Sequence, residues 1–357
     1  MTEVVPCWTI GWKISGLPSV RGPAEALEAV LPMPVLPEND VDLAAVAEPH
    51  EPPPTKGSLM TLASRLGHAP DDRLLIVNAD DYGMSRSANL GITSLLRAGA
   101  ISSATVMTPC PWAPQAVAEA AGFDVGVHLT LTSEWEGYRW GPVTRDRPVP
   151  TLVDETGYFF RDCASFERSA DPDEVRVEIV NQIRKAVALG LDPSHADNHM
   201  GSLYGLATGR HFLDVVLSVC AEFGLPFRLP RSLEGTGAPE ELEPVAQALA
   251  AMADEAGVVI LDRLWSLPFQ QADGEDYESL KKDMIGLLRS LRPGVTEIYI
   301  HPFEDTDELR AIMPGAAKRG WELALFTDPD VREVLDGEDV KLIGWLDLRA
   351  AQRGERP

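Results

Sequence analysis

No stretch of this chain approaches the ~20 consecutive apolar residues that a membrane-spanning helix needs, so no bilayer span is expected. Basic residues are scarce. Against 55 Asp and Glu stand 31 Lys and Arg, a formal charge of -24, which repels phosphate backbones and anionic lipid at long range and argues against a nucleic-acid partner. Cysteine is sparse too: Cys7, Cys110, Cys163 and Cys220 form no C-x-x-C pair, as suits thiols in a reducing compartment. Near the N-terminus no basic start is followed by an apolar secretory core, and the expected location is the cytoplasm. No G-x-G-x-x-G follows the first strand-like run, which lowers a dinucleotide-binding reading.

What is present is a globular composition, 45% hydrophobic and 24% charged over 357 residues, enough for one large α/β domain or two ordinary ones. Residues 1–57 stand apart. They hold ten of the 29 prolines, including Pro52-Pro53-Pro54, without a sustained period of 3.6 or 2. A poorly structured extension is expected there, with a hint of helix at "AEALEAVL", and Met60 is a candidate true start. The catalytic domain is expected over 58–357.

From residue 73 the pattern alternates. "RLLIVNA" reads as a buried strand, followed by a helix from Ser85 to Arg97 closed by Gly99. "SATVMTP" and "DVGVHLTL" are further strands, with a helix over "WAPQAVAEAA" between them. A loop rich in Gly, Trp and Tyr runs from Thr132 to about Ser169. The best-marked helix starts at Asp171-Pro172, with Glu174 three after the cap and Gly190 placed to end it. Ile179, Ile183, Ala186 and Val187 are assigned to one face. "SHADNH", "PFRLP", "GVVILDRL", "TEIYIHP" and "VKLIGWLDL" complete the strand candidates. Strands alternating with helices imply right-handed βαβ units, a mainly parallel sheet and a closed or nearly closed barrel.

Chemistry-bearing residues fall at the expected strand ends. Asp80-Asp81 end the first strand, His128 lies in "GVHLTL", His195, Asp197 and His199 lie in "SHADNH", and His301 ends "EIYIH". In a parallel α/β barrel the C-terminal strand ends open onto one face, so these residues should meet there. Adjacent buried carboxylates raise one another's pKa unless a cation keeps both ionised. A divalent metal is therefore expected, with imidazole and carboxylate ligands on one side and open positions opposite. In extended chain His195, Asp197 and His199 share a face. Read individually, Asp80-Asp81 could cap a helix and His128 could be a core histidine; their company favours the metal. His50, His68 and His211 have no such company.

"NADDYG", "GVHLTL", "SHADNH", "FRLPR" and "IYIHP", in this order, resemble the YdjC-like carbohydrate deacetylases, metal-dependent N-deacetylases with a deformed (β/α) barrel. The resemblance covers about residues 60 to 350. It implies that Asp81, His128 and His199 bind the metal, that Asp80 is the general base, His301 the general acid, and that Arg228 leans on Asp80 or the substrate. It implies hydrolysis of an N-acetylated amino sugar by an acidified water, Asp80 taking its proton and His301 supplying one to the departing amine. Two imidazoles and a carboxylate suit Zn2+ best, other divalent transition metals such as manganese, cobalt, nickel or iron fit too, and the resemblance also suggests Mg2+.

Asp197 has room to orient a ligand or His301, and His195 either supports these residues or packs in the core. Trp135, Tyr138 and Trp140 offer aromatic faces for stacking on sugar, or pin the loop to the body. After His199, where many members place further histidines, this chain has Met200-Gly201. The rival readings are another metal-dependent barrel hydrolase acting on a phosphoester or cyclic amide, a metal-free glycosidase using paired carboxylates, and a carbohydrate-binding module without turnover. Self-association is left open.

Overall fold

A computed structural model describes residues 61–355 apart from 237 and 338; the Pro-rich segment, its suggested helix and Met60 lie outside the described residues. The strands are β1 (Arg73–Tyr82), β2 (Ser103–Val106), β3 (Val125–Leu129), β4 (Ala196–Asn198), β5 (Arg263–Trp265), β6 (Gly294–Ile300) and β7 (Val340–Leu342). All pair in parallel in the order β4-β3-β2-β1-β6-β5, with β7 against the start of β1.

"PFRLP" is not a regular strand. Pro226 and Pro230 lack the N–H that a ladder requires, so only scattered bonds form. Arg228 N donates to Ala196 O (3.0 Å), Phe227 N to Val259 O (3.0 Å), Leu261 N to Leu229 O (3.1 Å) and Asp262 N to Val295 O (3.1 Å). These bonds carry the ring from β4 across 226–231 and 258–262 to β6, giving the expected deformed barrel of parallel strands with helices around it.

The local signals explain the helices. Ser85 accepts from Ala88 N at the start of helix Arg86–Ala98, and left-handed Gly99 ends it. Asp171 caps helix Pro172–Ala188 through Asp173 N and Glu174 N. Ile179, Ile183 and Ala186 are buried as expected, whereas Val187 is 52% exposed: it sits 100° around the helix from Ala186, off the buried stripe. The expected loop 132–169 also contains the helix Cys163–Ser169. "VKLIGWLDL" is strand only as far as Leu342; Gly344 turns the chain into helix Trp345–Arg353.

Alternation along the strands sorts the core into an outer and an inner set. Leu75, Val77 and Ala79 of β1, Ala104 and Val106 of β2, and Val125, Val127 and Leu129 of β3 pack toward the helices. The inner residues form layers along the barrel axis. At the bottom, Leu74, Ile76, Leu261 and Val295 pack with Trp345 and with Leu62 and Leu66. Above them lies a polar middle layer, and the upper layer carries the acids and imidazoles.

Candidate metal centre

The doubled aspartate does something ordinary pleating forbids. Adjacent residues in a strand point to opposite faces, yet Asp80 and Asp81 both line one pocket. The register explains it: between Ala79 and Tyr82, β1 carries one residue more than β2 does between Ala104 and Val106. Asp81 takes φ +67 at this bulge, a left-handed conformation costing a non-glycine residue roughly 1–2 kcal/mol. Such strain persists where a site requires it. Met200 is likewise left-handed, with φ +54, in the turn directly after His199.

Three strands bring the expected ligands together. Asp81 Oδ1 is 3.2 Å from His128 Nε2 and 3.2 Å from His199 Nδ1, and ligand atoms of the three residues lie within 4.8 Å of one another. All three side chains are buried. Asp81 Oδ1 has no hydrogen-bond partner among the described residues, an orphaned buried acceptor facing two imidazole nitrogens. A divalent cation fits this donor set, which can therefore hold one.

His128 is aimed from behind. Its Nδ1 lies 2.7 Å from Asp197 Oδ1, and since a carboxylate only accepts, Nδ1 carries a proton and Nε2 faces the centre, where it would offer a lone pair to a cation that displaced its own proton. Thr105 Oγ1 fixes Asp197 by donating to Oδ2 (2.9 Å). Asp197 is therefore placed to orient His128, a candidate ligand. Burial works to lower the His128 pKa, but the Asp197 charge, the bond to Asp197 and the nearby Asp81 carboxylate raise it to about 9. For Asp81 burial works upward and is outweighed by His199 and His128, which hold the carboxyl well below its usual range.

Asp80 is clamped. Arg228 donates to it from Nη1 and Nη2, each 2.7 Å, and Asn78 Nδ2 adds a third bond at 2.8 Å. Against the upward push of burial, the guanidinium lowers the Asp80 pKa. Arg228 is itself only 2% exposed; it also meets Asp197 (2.8 Å) and Glu297 (Nε donating, 2.8 Å) and lies over the Tyr299 ring. One buried cation thus joins three carboxyl groups. Burial pushes Glu297 up to about 8 despite Arg228. Arg228 leans on Asp80, as expected, and its position in the middle layer leaves it no access to substrate.

His301 reaches the same pocket with its ring edge-on to Phe269 at 4.8 Å. Burial lowers its pKa, in part against the charges of Asp81 and Glu322, so the ring is neutral at pH 7. His195 does not reach the pocket. Each i, i+2 step along a strand moves about 6.6 Å down the axis, so His195 shares the inner face with Asp197 and His199 but lies in the bottom layer. There it stacks on Trp345 at 4.3 Å and 6°, with Ser194 Oγ on Nδ1. Burial pulls it well below the ordinary histidine range. Gly126 makes the room: a Cβ there would lie 2.5 Å from the His195 ring. Of the two roles open to His195, core packing and support of a ligand, the contacts are those of packing.

The aromatic loop divides. Trp135 lines the pocket, and its buried Nε1 has no acceptor among the described residues. Tyr138 instead donates to Met84 O (2.7 Å), and Trp140, 3% exposed, donates from Nε1 to Thr132 O (2.7 Å). These two bonds staple the loop, the second of the two roles open to these aromatics. Three residues of the site carried no sequence signal. Glu134 and Phe269 line the pocket and Glu297 binds Arg228; each is an unremarkable acid or aromatic until the fold places it.

Comparison with known proteins matches residues 74–337 to the family described as YdjC-like protein. The chain belongs to the YdjC-like family. A carbohydrate deacetylase of Thermus thermophilus is 31% identical over 296 residues, covering 82% of this chain and 99% of that protein. One of Thermoanaerobacter pseudethanolicus is 29% identical over 282 residues, covering 78% of this chain and all of its own length. A crystal structure from Enterococcus faecalis, provisionally described as a cellobiose-phosphate cleavage protein, shares the fold with TM-score 0.63 and 24% identity, over 78% of this chain and 99% of that one.

Proposed function

We propose that this YdjC-like protein is a carbohydrate N-deacetylase, a hydrolase that removes acetyl from an N-acetylated amino sugar with the help of one divalent metal ion. The observation that carries this reading is the convergence of Asp81 Oδ1, His128 Nε2 and His199 Nδ1 at a pocket shared with Asp80 and His301. The relatives of similar length named carbohydrate deacetylase support the substrate class. When bound, a divalent cation polarises a carbonyl oxygen and acidifies water; the two imidazoles and one carboxylate favour zinc over magnesium.

The remaining steps belong to the chain's own groups. Asp80, ionised and held rigid by Arg228, stands in the pocket to accept a proton. His301, neutral at pH 7, is the group that can take up a proton and pass it to the departing amine nitrogen. Phe269 and Trp135 shield the pocket from bulk water, which strengthens charge interactions inside it. A metal-free glycosidase fits less well, since Asp81 faces two imidazoles within 3.2 Å and is not poised alone for attack on a sugar.

The test is acetate release from chito-oligosaccharides. A chelator should stop it and zinc should restore it, whereas hydrolysis that survives complete removal of metal would defeat the reading. Asp80→Asn should cut the rate by about 10²- to 10⁴-fold with metal content retained.

A further inference from the structure

His199 meets the centre through Nδ1, leaving Nε2 on the opposite side of its ring. That nitrogen lies 3.0 Å from Glu134 Oε2, a residue of the loop that follows β3. Glu134 makes no other hydrogen bond or ion pair among the described residues, and its side chain is only 10% exposed. A carboxylate with a single partner, held against the back of a buried imidazole, has one evident task.

We propose that Glu134 is the positioning residue for His199, fixing its ring so that Nε2 carries the proton and the Nδ1 lone pair faces the metal. The inference rests on the reading of Asp81, His128 and His199 as the metal centre. It follows from the ring geometry. A 180° turn of the imidazole exchanges its nitrogens with carbons, and only the observed orientation gives a nitrogen to both Asp81 and Glu134 at once. Glu134 accepts only, so the proton must be on Nε2. His128 has the mirror arrangement, Nδ1 protonated toward Asp197 and Nε2 inward.

The support arrives from a different direction in each case. Asp197 is built into β4, whereas Glu134 is delivered by a loop stapled through Tyr138 to Met84 O and through Trp140 to Thr132 O. The Trp140 ring also stands edge-on to His199 at 5.9 Å, blocking rotation on another side. The loop thus acts on the metal ligand as well as on the pocket, and its integrity and metal affinity should be coupled.

The experiment is a zinc titration of metal-stripped wild type, Glu134→Ala and Glu134→Gln against a competing chelator dye, together with two-bond 1H–15N correlation spectra of the zinc-loaded proteins, in which the His199 nitrogen that does not hold the metal keeps its proton. Removing such an orienting group weakens metal binding by about 10- to 100-fold. Glu134→Ala should lose affinity in that range, and its zinc-loaded His199 should become a mixture of Nε2–H and Nδ1–H forms. Glu134→Gln, whose amide oxygen still accepts from Nε2, should recover most of the affinity and the Nε2–H form. Unchanged zinc affinity in Glu134→Ala, or wild-type His199 protonated on Nδ1, overturns the inference. Wild type that binds no divalent ion overturns the metal reading and the inference with it, a result distinct from unchanged affinity in Glu134→Ala. Should Glu134→Ala fail to fold, a Glu134→Gln spectrum with Nε2 unprotonated overturns it equally.

Discussion

Replacing Arg228 with methionine tests the middle layer of the barrel. The guanidinium is the one group joining Asp80, Asp197 and Glu297, all buried, and methionine fills similar space without charge. Glu297, with a pKa of about 8, is largely neutral at pH 7.5, so the substitution strands the Asp80 carboxylate that the guanidinium holds ionised and leaves Asp197 without its Arg228 partner. Breaking even one buried pair from one side costs roughly 3–5 kcal/mol, and a loss of at least that size is expected in guanidinium unfolding at pH 7.5 with chelator present. The pH dependence separates charge from packing. In the wild type Asp80 lies below its ordinary 3.8, so its contribution is complete above that pH and is lost as pH falls through the lower folded value. Without the guanidinium, burial pushes the same carboxyl up, and the variant regains stability as pH falls. The gap between the two proteins should therefore narrow from pH 7.5 to 5. A loss below about 1 kcal/mol, far under the range for one broken buried pair, or a gap equal at both pH values, would refute the reasoning.

Three further outcomes are expected. Glu297 has its folded pKa raised from 4.5 to about 8, so keeping its proton costs the wild type stability as pH rises through that window. Glu297→Gln should be more stable than wild type by an amount that grows between pH 5 and 8 in chemical denaturation; a constant difference would count against it. Asp197→Asn removes the charge behind His128 and should weaken zinc binding by about 10- to 100-fold in a chelator competition, with unaltered affinity as the contrary result. Gly126→Ala drives a Cβ to 2.5 Å from the His195 ring and should lower the unfolding free energy by about 1–3 kcal/mol, whereas a neutral change would show that the ring can move aside.

The alternation of apolar strand runs with capped helices was enough to specify a parallel barrel, because period and capping are local properties. The residues at the strand ends were legible for the same reason: parallel strands leave their C-terminal ends on one face whatever the loops do. Asp81, His128, His199, Asp80 and His301 could be named without knowing a single distance. Depth along the barrel was not legible. His195 and His199 flank β4 with the same parity, and only the position of Trp345 below and Asp81 above makes one a packed core ring and the other a candidate ligand.

Tertiary structure also decided what no local rule contains. A one-residue bulge turns both aspartates inward, contrary to the pleat that would separate them. Arg228 gathers acids from β1, β4 and β6, and a loop more than sixty residues away in the chain delivers Glu134 to the back of His199. Sequence fixes which groups exist and on which face of their own element they stand; which of them share a few ångströms is settled by closure of the barrel, since that alone brings remote strands and loops within reach of one another.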